Sequence, residues 1–126
     1  MRELDGIRIL GPSDGAIREG PGSRVREIVS RADTEDRWRF GEVTEGPDDS
    51  AVGTHYHPGE PEVIVILEGP VEVHGATGVT QVSAGDVLFI PPDTEHGIRT
   101  PTGGRWLAIW PVGERVWVRS GDPPRR

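Results

Sequence analysis

Short apolar runs rich in Val and Ile alternate with polar positions along the whole chain, broken at close intervals by glycine and proline. Eighteen glycines and twelve prolines are spread through the sequence rather than clustered, so they act as punctuation between elements. The pattern predicts strands over 6–10, 24–30, 37–44, 53–57, 62–68, 71–74, 79–82, 87–90, 96–100, 105–110 and 115–119. No window holds a 3.6-residue apolar period for more than about two turns, which leaves no amphipathic helix to place. Turn signals recur roughly every 8–12 residues, the spacing of a sandwich or barrel. The expected fold class is therefore all-β. No internal repeat is visible, so residues 1–126 are expected to form one domain with one barrel, and 121–126 a frayed tail.

Length and composition narrow the chemistry. A chain of 126 residues suffices for one core and not for two. All 14 basic residues are arginine, and against 21 Asp and Glu they give a net charge of -7. Such a surface repels phosphate backbones, so no nucleic-acid partner is expected. No apolar run reaches the roughly 20 residues of a membrane helix, and residues 1–5 lack the layout of a secretory signal. With no cysteine there is no disulfide framework and no thiolate chemistry, and a cytoplasmic location is the default expectation. The absence of lysine removes Schiff-base catalysis. Tyr56 is the single tyrosine, and no serine has a histidine within two positions. Any catalysis is left to a metal or a carboxylate.

The segment from Thr54 to Glu62 reads T-H-Y-H-P-G-E-P-E. In a strand, His55 and His57 point to the same face about 6.6–7 Å apart, with Tyr56 on the other. Pro58, Gly59 and Pro61 suit a turn that returns the chain and sets Glu62 beside the pair. Neutral imidazole is the commonest protein metal ligand, and a carboxylate supplies the charge that holds a divalent cation.

These residues resemble the first motif of the cupin superfamily, G-x5-H-x-H-x3,4-E-x6-G, matched here by His55, His57, Glu62 and Gly69. The second motif, G-x5-P-x-G-x2-H-x3-N, is matched by Gly85, Pro91 and His96. The resemblance implies a single cupin β-barrel of the jelly-roll type. It also implies one divalent ion (Fe, Mn, Ni, Co, Cu or Zn) held by His55, His57, Glu62 and His96. Three positions depart from the pattern: Asp49, Asp93 and Thr100 stand where the family has Gly, Gly and Asn. These positions shape turns, and the loop around Asp93 is expected to need a different turn conformation.

Alternation from Glu62 places Ile64 and Ile66 on the same inner face, an apolar wall beside the ion. Some metal-dependent cupin lyases carry a tyrosine base at the position of Ile64, so the resemblance counts against that group. Trp106 and Trp110 share one face of their strand and either line the barrel mouth or pack at a dimer interface. Trp38 with Phe40, and Trp117, are read the same way, since buried area is the usual role of Trp. Arg37 and Arg39 oppose Trp38 and Phe40. Solvated arginine is the common outcome, with Arg39 the candidate to reach the pocket and hold a carboxylate. His74, Glu60 and Glu95 are expected to face solvent.

The expected function is a metal-dependent enzyme acting on a small organic substrate, with Glu62 in the catalytic role. The substrate would bind the ion through a carboxylate, carbonyl or enol oxygen, in isomerase, cyclase, lyase or O2-dependent chemistry. The alternative is a cupin that binds a sugar or small acid without turnover. The Val- and Trp-rich strands at either end present sheet edges, so a homodimer is expected.

Overall fold

The computed structural model describes residues 1–47, 54–111 and 118–119. Thirteen strands run through the described residues: β1 (Arg2–Leu4), β2 (Ile7–Ile9), β3 (Ala16–Gly20), β4 (Ser23–Val29), β5 (Trp38–Glu45), β6 (His55–Tyr56), β7 (Glu62–Glu68), β8 (Val71–His74), β9 (Val79–Val82), β10 (Val87–Ile90), β11 (Gly97–Arg99), β12 (Gly104–Pro111) and β13 (Val118–Arg119). A single 3-10 turn, Ala32–Thr34, joins β4 to β5. One antiparallel sheet has the order β10-β7-β12-β5-β4-β3. Opposite it lie β11-β8-β9 and β13-β6, tied together by a bridge between His55 and His96. Non-sequential neighbours such as β7-β12 and β12-β5 are the crossings of a jelly roll, so the all-β expectation holds.

Period-2 alternation builds the interior. On β7, Glu62, Ile64 and Ile66 are buried while Val63 and Val65 face outward half-buried. On β12, Trp106, Ala108 and Trp110 turn inward and Ile109 outward. With Val43, Val71 and Ile90 these residues form the apolar core.

Strands β7, β8, β9 and β10 occupy the predicted ranges, and β4, β5, β11 and β12 lie within a residue or two of them. Strands β1 and β3 were not foreseen. Every residue of β3 is exposed, so it has no apolar alternation to read; pairing with β4 makes it a strand. The β1–β2 hairpin turns on Asp5-Gly6, both at positive φ (49° and 86°), a turn dipeptide visible in the sequence. Of the described residues of the segment 53–57, His55–Tyr56 are strand, and of 115–119 the described part is Val118–Arg119. The Asp49 position, Trp117 and the tail 121–126 lie outside the described residues.

Gly41 fixes one feature of the interior. A Cβ there would meet the Trp110 ring at 2.5 Å and the Arg26 carbonyl oxygen at 2.8 Å. Only glycine lets the indole lie across β5.

Candidate metal centre

Three short segments bring the candidate ligands together. His55, on β6, exchanges both backbone hydrogen bonds with His96 (2.9 and 2.8 Å), which sets the two side chains next to each other. His57 follows β6, and its carbonyl accepts from the N–H groups of Asp93 (3.1 Å) and Glu60 (3.3 Å). Glu62 opens β7, directly across from Ile90. The expectation about Asp93 is corrected: its φ of 60° lies in the left-handed region that a glycine would favour. Its carboxylate accepts the Gly59 N–H at 3.0 Å, tying the turn after His57 to the turn before His96. Thr100 is buried and donates to the Gly46 carbonyl at 2.9 Å, a turn-shaping role.

The imidazoles of His55, His57 and His96 cluster with ring centroids 4.3 to 5.3 Å apart. Their nitrogens lie within 4.8 Å of one another, and all three residues are buried, so the trio can hold a metal ion. Glu62 Oε1 reaches the cluster, 3.0 Å from His96 Nε2 and 3.4 Å from His57 Nε2. Short as these distances are, His57 Nδ1 and Nε2, His96 Nε2 and Glu62 Oε1 make no hydrogen bond of acceptable direction and are fully enclosed. Buried polar atoms left in this way are costly unless something else satisfies them. A cation among them would do so. His96 Nδ1 lies 2.9 Å from the Thr94 carbonyl, which keeps the proton on Nδ1 and turns the Nε2 lone pair to the cluster.

Without an ion, the Glu62 carboxylate and the His96 imidazole of the cluster shift one another. Burial pushes the Glu62 carboxyl up, but the adjoining His57 and His96 outweigh it and hold the group at about 2. Burial lowers His96, yet Glu62 and the Thr94 carbonyl raise it overall above its ordinary value.

The cluster stands at one end of a cavity of about 220 Å3. Ile64, Trp106, Trp110 and Arg39 line it, which places both tryptophans on the pocket side. Ile66 does not. It shares the inward face, but two pleats beyond Glu62 it is 1% exposed and sunk in the core rather than on the cavity wall. Arg39 is also not a solvated arginine. Its guanidinium donates to Glu27 Oε2 at 3.0 Å and stacks 4.4 Å from the Trp110 ring centroid, so the charge enters the barrel with its own partner. Arg37 stays outside, exposed beside Glu35.

Sequence reading missed Val25, Val43, Glu45 and Arg18 as lining residues. The signal for Val43 and Glu45 was their shared parity with Arg39; for Arg18 there was none, because β3 was not recognised. His74 is half-buried with Nε2 3.2 Å from Glu72, apart from the cluster. Glu95 is half-buried, and Glu60 borders an outer groove with Arg37 and Trp38.

Comparison with known proteins places this arrangement. Among solved structures, a predicted oxalate decarboxylase from Thermotoga maritima shares 28% identity over 71% of this chain and 79% of its own, with a TM-score of 0.65. The polyketide cyclase RemF from Streptomyces resistomycificus shares 21% identity over 93% and 87%, with a TM-score of 0.77. An RmlC-like cupin from Shewanella frigidimarina shares 19% over 83% and 90%, with a TM-score of 0.65. No curated protein matches the sequence. The Cupin domain profile matches residues 41–110, more than half the chain and the span that carries the whole histidine cluster, so the protein belongs to the cupin family.

Proposed function

We propose that this cupin is a metal-dependent enzyme that acts on a small, largely apolar organic molecule. His55, His57, His96 and Glu62 hold one divalent ion, and the substrate reaches it through a carboxylate, carbonyl or enol oxygen. The observation that carries this reading is the set of enclosed, unsatisfied ring nitrogens and the Glu62 oxygen, converging at the end of an apolar cavity. When bound, the ion supplies Lewis acidity to the coordinated substrate oxygen.

The chain's own groups do the rest. Ile64, Val43, Trp106 and Trp110 exclude water and flank the apolar body of the substrate. Arg39, held by Glu27, fixes the Trp110 wall. Glu62 keeps a negative charge at the site that offsets part of the ion's charge. The cavity lies below the roughly 300–1,000 Å3 of drug-sized sites, so the substrate is small. A homodimer is part of the reading. It is supported by an apolar row across the outer sheet face, where Phe89, Val63, Ile109 and Phe40 stand in register.

The test is metal analysis of protein purified without added metal, followed by a turnover screen of small keto and enol acids that includes O2 uptake. About one divalent ion per chain, with turnover lost on chelation and restored on reloading, is the expected result. A protein that cannot be loaded with Fe, Mn, Ni, Co, Cu or Zn rules the reading out.

A further inference from the structure

Resting on the enzyme reading above, we propose that Arg18 reads an anionic oxygen group, carboxylate or phosphate, at the outer end of the substrate. The substrate class is then an apolar-bodied acid with a metal-binding oxygen at one end and an anion at the other.

Register fixes where Arg18 stands. It is the central residue of β3, the edge of the large sheet, and its inward face is flanked by Ala16 and Gly20. Two small residues leave an opening on either side of the arginine. Across the sheet, Arg18 pairs with Val25, Val25 with Val43, and Val43 with Trp106. Glu62 lies on β7, four strands from β3 in this order, and four residues along from Ile66, the partner of Trp106. Four residues of strand span about 13 Å. Arg18 and the histidine cluster therefore mark opposite ends of the cavity, with Val25, Val43, Ile64 and Trp106 between them.

This end carries two charged groups, the exposed Arg18 guanidinium and the Glu45 carboxylate, and Arg18 is the one that can receive an anion. Arg39, the other arginine of the cavity, is engaged by Glu27 and Trp110. Arg18 is exposed at the mouth and makes no ion pair among the described residues. Glu45, also at this end, accepts the Ser23 hydroxyl at 3.3 Å. In a chain of net charge -7, an approaching anion is repelled over most of the surface, and a cation at the mouth reverses that locally. Arginine suits the task because its planar fork binds carboxylate and phosphate in two-point fashion. A charged residue on an edge strand also serves to block strand addition. That role predicts no ligand preference, so binding separates the two.

The probes are 6-hydroxy-2-naphthoate and its neutral amide, titrated by calorimetry into zinc-loaded wild type, Arg18→Gln and Arg18→Lys. Wild type is expected to prefer the acid by about tenfold, Arg18→Gln to lose that preference with amide affinity unchanged, and Arg18→Lys to keep part of it. An undiminished preference in Arg18→Gln, or no binding of either probe, overturns the proposal. The same titrations without zinc keep it distinct from the metal reading. If the acid preference survives zinc removal, the carboxylate sits at the mouth and the proposal is supported. If it disappears with zinc, the carboxylate sits on the ion and the proposal is wrong. Affinities for both probes that ignore zinc altogether overturn the metal-binding end of the substrate class and leave the Arg18 contact to be judged by the Arg18→Gln comparison.

Discussion

Glu62 carries the negative charge among the four converging groups, and its position follows from one turn. Pro58, Gly59 and Pro61 reverse the chain so that the first residue of β7 enters the barrel beside two imidazoles. Glu62→Gln keeps the size and an oxygen donor but removes the charge. The ion should stay, more weakly, and turnover at full metal occupancy should change by more than tenfold, about 1.4 kcal/mol in barrier. Equal rates for wild type and variant would remove Glu62 from the mechanism and leave it a structural ligand. His57→Ala should lose the ion while keeping the β fold, as read by metal content and circular dichroism. Both residues were legible in the sequence, because a two-residue histidine spacing and a turn need only local geometry. The Ile66 assignment failed for a non-local reason: parity tells which face a residue takes, not how far along the barrel the cavity runs.

At the scale of elements, β5 shows how a strand shapes a pocket through a residue with no side chain. Gly41 leaves the space that the Trp110 ring fills, and the ring in turn carries the Arg39 guanidinium. Gly41→Ala should therefore overpack the interior, costing about 1–3 kcal/mol in chemical denaturation and displacing Trp110. An unchanged denaturation midpoint and unchanged tryptophan fluorescence would show that the wall yields freely. The turn at Asp93 gives a second test. Asp93→Ala loses the bond to Gly59 and places alanine at φ 60°, whereas Asp93→Gly loses only the bond. Alanine should cost more stability than glycine, by about 1 kcal/mol. Equal costs for the two variants would mean that the lost carboxylate bond, not the backbone, decides the turn.

For the whole molecule, stability should depend on pH in opposite senses with and without the ion. In the metal-free protein Glu62 is held at about 2 against an ordinary 4.5, so its contribution is present above that ordinary value and lost as pH falls toward 2. His96 is raised, so its contribution is full below its ordinary 6.5 and lost as pH climbs through the raised value. Metal-free protein should therefore melt highest near pH 5–6. Bound ion requires neutral imidazoles, so its stabilisation grows with pH as proton competition fades. The gap in Tm between loaded and metal-free protein should widen from pH 5 to pH 8. A constant gap would argue against histidine ligation. Light scattering should report a dimer. The outer face exposes Phe89, Val87, Ile109 and Trp38, on the order of 400 Å2 of apolar side chain, about half of what each partner in a standard interface buries. A monomer at micromolar concentration would refute the dimer.

Local pattern determined a large part of this protein by itself. Alternation and turn residues set β7 to β10 and put His55, His57 and Glu62 within reach of one another, because strand parity and turn chemistry act over only a few residues. His96 was implied by the family resemblance and is seated by its long-range bridge to His55. Tertiary structure decided what depends on neighbours distant in sequence. β3 is a strand because β4 pairs with it, and so Arg18 reaches the cavity mouth. Arg39 lies inside because Glu27, twelve residues away, and Trp110 meet its charge there. Trp106 and Trp110 line a cavity rather than an outer face because β12 is sandwiched between β5 and β7, and only the closure of the barrel fixes which side of that strand is the interior.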